Sequence, residues 1–306
     1  MSSLRHILAA TDLSDASLQA VDRGFQIANT VHAQYTLLHA LGTQNAAPLR
    51  EMLGQQSEDI IQAMIEETRR ALQAITADAT RNAGVTAHIE LSSGLVTYDL
   101  PVFVSKASVD LVLLGAQGAS KVPSLMLGST TTRLLRKSQC PILIVRQPTR
   151  GAYQRILIAI DFSPASEKAI RLAREIAPNA QLVLCHVSEV PFEGKMRYAG
   201  VGEDLIAKYR VNAFENASRQ LQELARKCDL QPADYAERIL DGRPATQMLS
   251  QIEKMGCDLV VVGKHGTHVT EELVLGSVTA HLASAAPCDV LVVFDKQIHD
   301  TMTFAA

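Results

Sequence analysis

The sequence predicts an α/β protein built from two tandem, open, mostly parallel five-stranded sheets, order 3-2-1-4-5, with helices on both faces. Three observations carry that expectation. Short, continuously apolar segments alternate with amphipathic ones along the whole chain. The plan then repeats once at a nearly constant offset. Each repeat places the same glycine-rich run after its fourth apolar segment, DLVLLGAQGASKVPSLMLGSTT in the first and DLVVVGKHGTHVTEELVLGSVT in the second.

The elements follow in order. Arg5 to Thr11 is mostly apolar and reads as the first strand, with Asp12 at its C-terminal end and Ser14 as N-cap of the next helix. Leu18, Val21, Phe25 and Ala28 recur at helical spacing. Gln34 to Ala40 is a second strand, and residues 41–55 a loop. A long helix is expected over 57–82, ended by Gly84, followed by a third strand over Val85 to Leu91. A shorter helix is expected over Tyr98 to Ala107, with its first turn left open by Pro101, which would sit most comfortably at N1, where its missing N–H costs nothing. Leu111 to Leu114 is the fourth strand, a helix carrying Leu134 and Leu135 follows Gly128, and Pro141 to Val145 is the fifth strand. Continuous Val, Ile and Leu runs are what a parallel sheet covered on both faces requires.

The linker QPTRGAYQ (147–154) separates this from its repetition. Ile7 matches Ile156, an offset of 156 − 7 = 149, and Gly115 matches Gly263, an offset of 263 − 115 = 148. His39 aligns with His186 and Cys140 with Cys288. Units this long are duplicated domains, not solenoid repeats. The expected boundaries are 1–147 and 154–296, in line with a prior of about two domains for a chain of 306 residues.

Composition narrows the function. Aromatic residues are 4% of the chain, Trp is absent and the formal net charge is −3, which argues against a nucleic-acid partner held by stacking and phosphate neutralisation. No apolar run approaches the ~18 residues of a membrane span, and the N-terminus enters a strand pattern without an export signal. Five Cys form no CxxC pair and four lie within or beside apolar runs, so buried thiols in a reducing cytoplasm are expected.

In a sheet of this order, strands one and four are neighbours, so Asp12 and the first glycine run meet in one crevice beyond the strand ends. Asp161 and the second run do the same. Gly115, Gly118, Gly263 and Gly266 let the backbone turn tightly and approach a ligand. Gly128 with Ser129 and Thr130, and Gly276 with Ser277 and Val278, open the next helix. Its free N–H groups and positive dipole end favour phosphate oxygens, and the hydroxyls of Ser129, Thr130, Thr131, Ser277 and Thr279 add donors. Asp12 and Asp161 are read as accepting from a ribose hydroxyl or an adenine amino group, holding a phosphate-bound Mg²⁺, or capping a helix. His39 and His186 read as buried neutral histidines. On the loops themselves, Lys121, His265 and His268 are candidate phosphate donors, while Glu271 and Glu272 would repel phosphate. His265, His268 and Glu271 match no strong metal spacing. There is neither a GxxxxGK[ST] loop nor a GxGxxG fingerprint, and no nucleophile–base set can be assembled. The fifth strands ILIV and VLVV, at sheet edges, are expected to pair with each other within the chain or between chains.

These residues resemble the universal stress protein family in its tandem-domain form, from Arg5 to Phe294. ILAATDLS and ILIAIDFS, DLVLLG and DLVVVG, and CPILIV and CDVLVV are the landmarks. The family's ATP-binding pattern, G-x2-G-x9-G-[S/T], is matched by Gly115, Gly118, Gly128 and Ser129, and again by Gly263, Gly266, Gly276 and Ser277. The resemblance carries the family's nucleotide-site aspartate onto Asp12 and Asp161. It implies binding of ATP, AMP or ADP, with or without Mg²⁺, in the cytoplasm, and a role in surviving stress. Departures are Val96, where the family commonly has Pro, and the Glu271-Glu272 pair. The leading expectation is a nucleotide-responsive regulator whose change is read by another protein or by its own oligomer, with a homodimer of the tandem chain as one such assembly. The alternatives are a slow ATP hydrolase or phosphotransferase and a nucleotide-free, chaperone-like interaction module.

Overall fold

The computed structural model describes residues 3–45, 51–52, 54, 56–118, 127–188, 193–265 and 274–294. The chain divides into two compact units, changing over between Ala152 and Tyr153.

The first unit runs β1 (His6–Ala10), α1 (Asp15–Val31), β2 (Gln34–Ala40), α2 (Gln56–Ala77), β3 (Ala87–Ser92), α3 (Val96–Lys106), β4 (Leu111–Gly115), α4 (Ser129–Lys137) and β5 (Ile142–Val145). Its strands lie in the order β3-β2-β1-β4-β5, every neighbour parallel, as the sequence predicts. The second unit runs β6 (Arg155–Ile160), α5 (Pro164–Ile176), β7 (Gln181–Ser188), α6 (Glu193–Tyr198), α7 (Glu203–Lys227), β8 (Tyr235–Asp241), α8 (Pro244–Met255), β9 (Leu259–Gly263), α9 (Ser277–Ala285) and β10 (Asp289–Val293). Its parallel order β8-β7-β6-β9-β10 is the same topology.

The central strands are buried because helices cover them on both sides. Ile7, Leu8, Leu37, Leu111, Leu113 and Leu143 are sealed from water. Each such side chain contributes roughly 1.5–3 kcal/mol by leaving water. The helices supply matching apolar faces, Phe25 from α1, Leu72 from α2 and Leu134 from α4. The Phe25 and Tyr35 rings meet edge-on at 4.7 Å, and the buried Tyr35 hydroxyl donates to Val21 O at 2.8 Å. Ser14 caps α1 as expected, its hydroxyl accepting from Ser17 N.

Three boundaries differ from the sequence reading by two residues or more, each for a local reason. Helix α2 stops at Ala77, not at residue 82. Asp78 Oδ1 accepts from Thr80 N at 2.9 Å and Thr80 Oγ1 at 2.7 Å, and Asn82 Oδ1 accepts from Gly84 N at 3.0 Å. These side chains offer the backbone a turn in competition with the helix. Val85 N bonds Asn82 O in that turn, so β3 begins at Ala87. Helix α3 begins at Val96, which places Pro101 inside its second turn and not at N1. Asp99 holds the early start: its Oδ2 accepts from Gly94 N at 3.0 Å and from the Ser92 hydroxyl. No helix among the described residues is long and apolar enough to cross a membrane.

Candidate functional site

In the first unit the β1–β4 register aligns Ala10 with Leu114, so the chain leaves both strands at the same level. A cleft of about 150 Å³ opens there. Asp12, Gly115, Gly118, Gly128, Ser129 and Thr130, all singled out from sequence, line it together. Ala10, Ala40 and Val96 form its apolar wall, and Asp12 is the one ionisable side chain among the described lining residues.

A tight turn sets Asp12. Leu13 adopts φ 65°, the left-handed region that costs a side-chain-bearing residue about 1–2 kcal/mol. The turn brings Ser14 back onto the carboxylate: Ser14 N donates to Asp12 Oδ1 at 3.1 Å and Ser14 Oγ at 2.5 Å. Leu13 N is satisfied by Thr11 Oγ1 at 3.0 Å. The other carboxylate oxygen faces Gly118, where an added Cβ would lie 2.9 Å from Oδ2. Gly118 is therefore a close-approach glycine beside the carboxylate.

Gly115 has a different job. A Cβ there would meet Ala16 O at 2.7 Å, Ala16 C at 2.9 Å and Ser17 N at 3.0 Å. It is buried at the end of β4, and the backbone it admits is that of α1. Gly128 is the N-cap of α4, and its N–H donates to Ala116 O at 2.9 Å. The first intrahelical bond is Thr132 N to Gly128 O, so the N–H groups of residues 129–131 have no acceptor within the helix. Ser129 and Thr130 are exposed at the mouth. Thr131 is not an outward donor: its buried hydroxyl donates to Gly115 O at 3.0 Å, tying α4 to β4.

The second unit repeats much of this. Phe162 adopts φ 61°, Ser163 N and Oγ donate to Asp161 Oδ1 at 3.0 and 2.6 Å, and Gly276 N donates to Lys264 O at 2.9 Å. Thr279 Oγ1 donates to Gly263 O at 2.6 Å, the counterpart of the Thr131 bond. Ser277 is exposed and Val278 half-buried at the start of α9. Gly266, His268, Glu271, Glu272 and Lys121 lie outside the described residues.

The units differ at one position beside the aspartate. Ser17 Oγ donates to Ser14 O at 2.9 Å and lies 2.9 Å from Thr11 Oγ1. In the second unit Ile160 stands where Thr11 would be, and the Ser166 hydroxyl turns onto Asp161 Oδ1 at 2.8 Å. Ser17 and Ser166 were missed in the sequence, although their shared offset (166 − 17 = 149) was available as a signal.

His39 and His186 are half-buried on β2 and β7, and His186 Nδ1 lies 2.8 Å from Ile160 O. Burial pushes the His39 pKa down, opposed by hydrogen bonding of the ring to the Thr11 backbone carbonyl and by the Asp12 charge. All five cysteines are buried thiols outside any disulfide. Burial raises Cys185 to about 12 and Cys228 and Cys257 to about 11.

Comparisons with known proteins agree with this architecture. The model of the universal stress protein family matches residues 3–146 and again 152–293. A universal stress protein of Mycolicibacterium smegmatis is 28% identical over 302 residues, covering 94% of this chain and 96% of its own length. Universal stress protein A homolog 1 of Coxiella burnetii is 34% identical over 148 residues, 47% of this chain and 99% of its own. The crystal structure of a universal stress protein from Archaeoglobus fulgidus shares the fold at TM-score 0.66 and 18% identity, covering 96% of this chain and 99% of that one. With the family pattern matched over both repeats, the chain belongs to the universal stress protein family, in a tandem two-repeat form.

Proposed function

We propose that this chain is an adenine-nucleotide-binding regulatory protein of the general stress response, acting in the cytoplasm, with ATP, ADP or AMP as its ligand. One observation carries the reading. The ends of β1 and β4 and the N-terminus of α4 converge on one cleft, and Asp12, Gly118, Ser129 and Thr130 line it together. The fit is chemical as well as spatial. The α4 N–H groups and the Ser129 and Thr130 hydroxyls are donors suited to phosphate oxygens, and the helix dipole adds roughly 0.3–1 kcal/mol for a negative charge there. Asp12 supplies the acceptor for a ribose hydroxyl or an amino group, or an oxygen ligand for a phosphate-bound Mg²⁺. Ala10, Ala40 and Val96 offer an apolar surface to a base. Gly118 keeps the carboxylate side of the cleft clear of a side chain. In the second unit, Asp161, Gly263, Gly266, Gly276, Ser277 and Val278 form the corresponding proposed set.

The composition of the cleft favours a regulator over a dedicated enzyme. With Asp12 as the one ionisable side chain among the described lining residues, no acid–base pair stands ready for proton transfer. Bound nucleotide would act by ordering the glycine loops for a partner to read.

Native mass spectrometry of the whole chain with Mg-ATP or AMP reports nucleotide count directly. Adducts are expected in the wild type. Gly118→Val, which drives a branched side chain into the Asp12 carboxylate, should remove binding in the first unit with unfolding unchanged. Absence of adducts in the folded wild type, or undiminished binding in both Gly118→Val and its combination with Gly266→Val, would refute the assignment.

A further inference from the structure

The duplication lets one unit serve as a control for the other's surface. Leu95, the N-cap of α3, and Tyr98 and Val102 on the helix are 45%, 62% and 51% exposed. Tyr98 and Val102, four residues apart, share one face of the helix, and Leu95 stands at its N-cap three residues before Tyr98. At the 148 offset the second unit carries Arg243, Thr246 and Ser250, so the fold does not require apolar residues there. On the neighbouring α4, Arg133, Arg136 and Lys137 are exposed, where α9 has His281, Ser284 and Ala285. The two sets are joined: Lys137 Nζ sits 4.6 Å from the centroid of the Tyr98 ring. Exposed Lys106 follows Val102 by one turn. The charge contrast extends over the whole half-unit. Residues 91–150 hold seven Lys/Arg and two Asp, 7 − 2 = +5, whereas 239–298 hold four Lys/Arg and seven Asp/Glu, 4 − 7 = −3.

We propose that this α3–α4 face of the first unit is a docking surface for an acidic amphipathic helix of a partner protein. Three large apolar side chains left in water are unfavourable unless something covers them. Cations flank the stripe, so the complementary partner presents apolar residues at i, i+3 or i+4, and i+7 with Asp or Glu beside them. The stripe runs seven residues along α3, or roughly 10 Å, which suits one helix seam. A membrane surface would call for a broader apolar face, and nucleic acid would use the cations without the Leu and Val. The surface is formed by helix faces outside the cleft, so the proposal holds whether or not nucleotide binds.

The test uses the full chain and a labelled synthetic helix, about five turns long, with Leu at the seam and Glu elsewhere. Fluorescence anisotropy should show this peptide binding at least about tenfold tighter than versions with Leu→Ser or Glu→Lys, a difference of about 1.4 kcal/mol. The triple variant Leu95→Arg, Tyr98→Thr, Val102→Ser takes the residues that the second unit already carries. It should lose about tenfold or more with an unchanged melting temperature. The pair Arg136→Ser and Lys137→Ala leaves the stripe intact and should weaken binding and flatten its salt dependence. Equal binding of all three peptides, or full binding by both variants, would overturn the proposal. So would wild-type capture by phosphatidylglycerol vesicles in place of the peptide, or self-association that the triple variant abolishes.

Discussion

Replacing Gly115 with alanine separates packing from ligand chemistry in the glycine pattern. The new Cβ would lie 2.7 Å from Ala16 O, 2.9 Å from Ala16 C and 3.0 Å from Ser17 N. All three are backbone atoms in the first turn of α1. That turn is pinned by Leu18 N to Ser14 O at 2.9 Å and by the Ser14 side-chain cap. The neighbours cannot give way one at a time, so an overpacking cost of about 1–3 kcal/mol applies. The unfolded chain loses freedom with alanine, which returns about 0.4–1 kcal/mol. A net loss of about 1–2 kcal/mol remains. The same change at Gly263 meets only the Ala165 methyl at 3.1 Å and His265 O at 3.3 Å, and should come out near neutral, within about 0.5 kcal/mol. Urea unfolding of the two single variants measures the difference, with a melting shift of about 2–4 °C per kcal/mol for a unit of this size. Wild-type stability in Gly115→Ala, or a larger loss in Gly263→Ala, would refute the packing argument.

Two further outcomes concern titration. Cys185, Cys228 and Cys257 hold their protons to about 12, 11 and 11, against an ordinary value of 9.0. A thiol reagent at pH 8 should therefore label none of them until urea is added. The unfolded chain ionises first, so stability should be complete below pH 9.0 and fall as the pH rises toward the folded values. Labelling of the folded chain at the unfolded rate would contradict their burial. His39 is shifted the other way, below 6.5, so the unfolded chain takes the proton first and stability is lost as pH falls under that value. His39→Gln should flatten the decline in urea midpoint as pH falls below 6.5; an equally steep decline in the variant would exclude His39 as its source.

What could be read from the sequence was whatever repeats or is buried on both sides. Ile7 to Ala10, Leu111 to Leu114 and Ile142 to Val145 announce parallel strands because sheet faces covered by helices admit no polar alternation. Two matched offsets revealed the duplication, and the order that places Asp12 beside Gly118 followed from fold class. What stayed hidden depends on partners distant in the chain. Nothing near Pro101 says that Asp99 will hold Gly94 N and that α3 will start two residues early, at Val96. Nothing in DLVLLG says that its glycine faces the backbone of α1, and Thr131 looks like a ligand donor until its hydroxyl is seen on Gly115 O. A motif states which residues meet, but their tasks depend on which neighbour reaches each atom first.

The exchange of Thr11 for Ile160 shows how two copies of one domain drift apart without touching their signature. Both keep the aspartate, the following serine and the left-handed turn. Losing one hydroxyl nonetheless re-aims a neighbouring serine, from Ser14 O in one unit to the Asp161 carboxylate in the other. Two motifs that are identical letter by letter thus differ in the hydrogen bonds behind them. Duplication in this chain has preserved the letters of the motif while letting the serine behind each aspartate take its own hydrogen-bond partner.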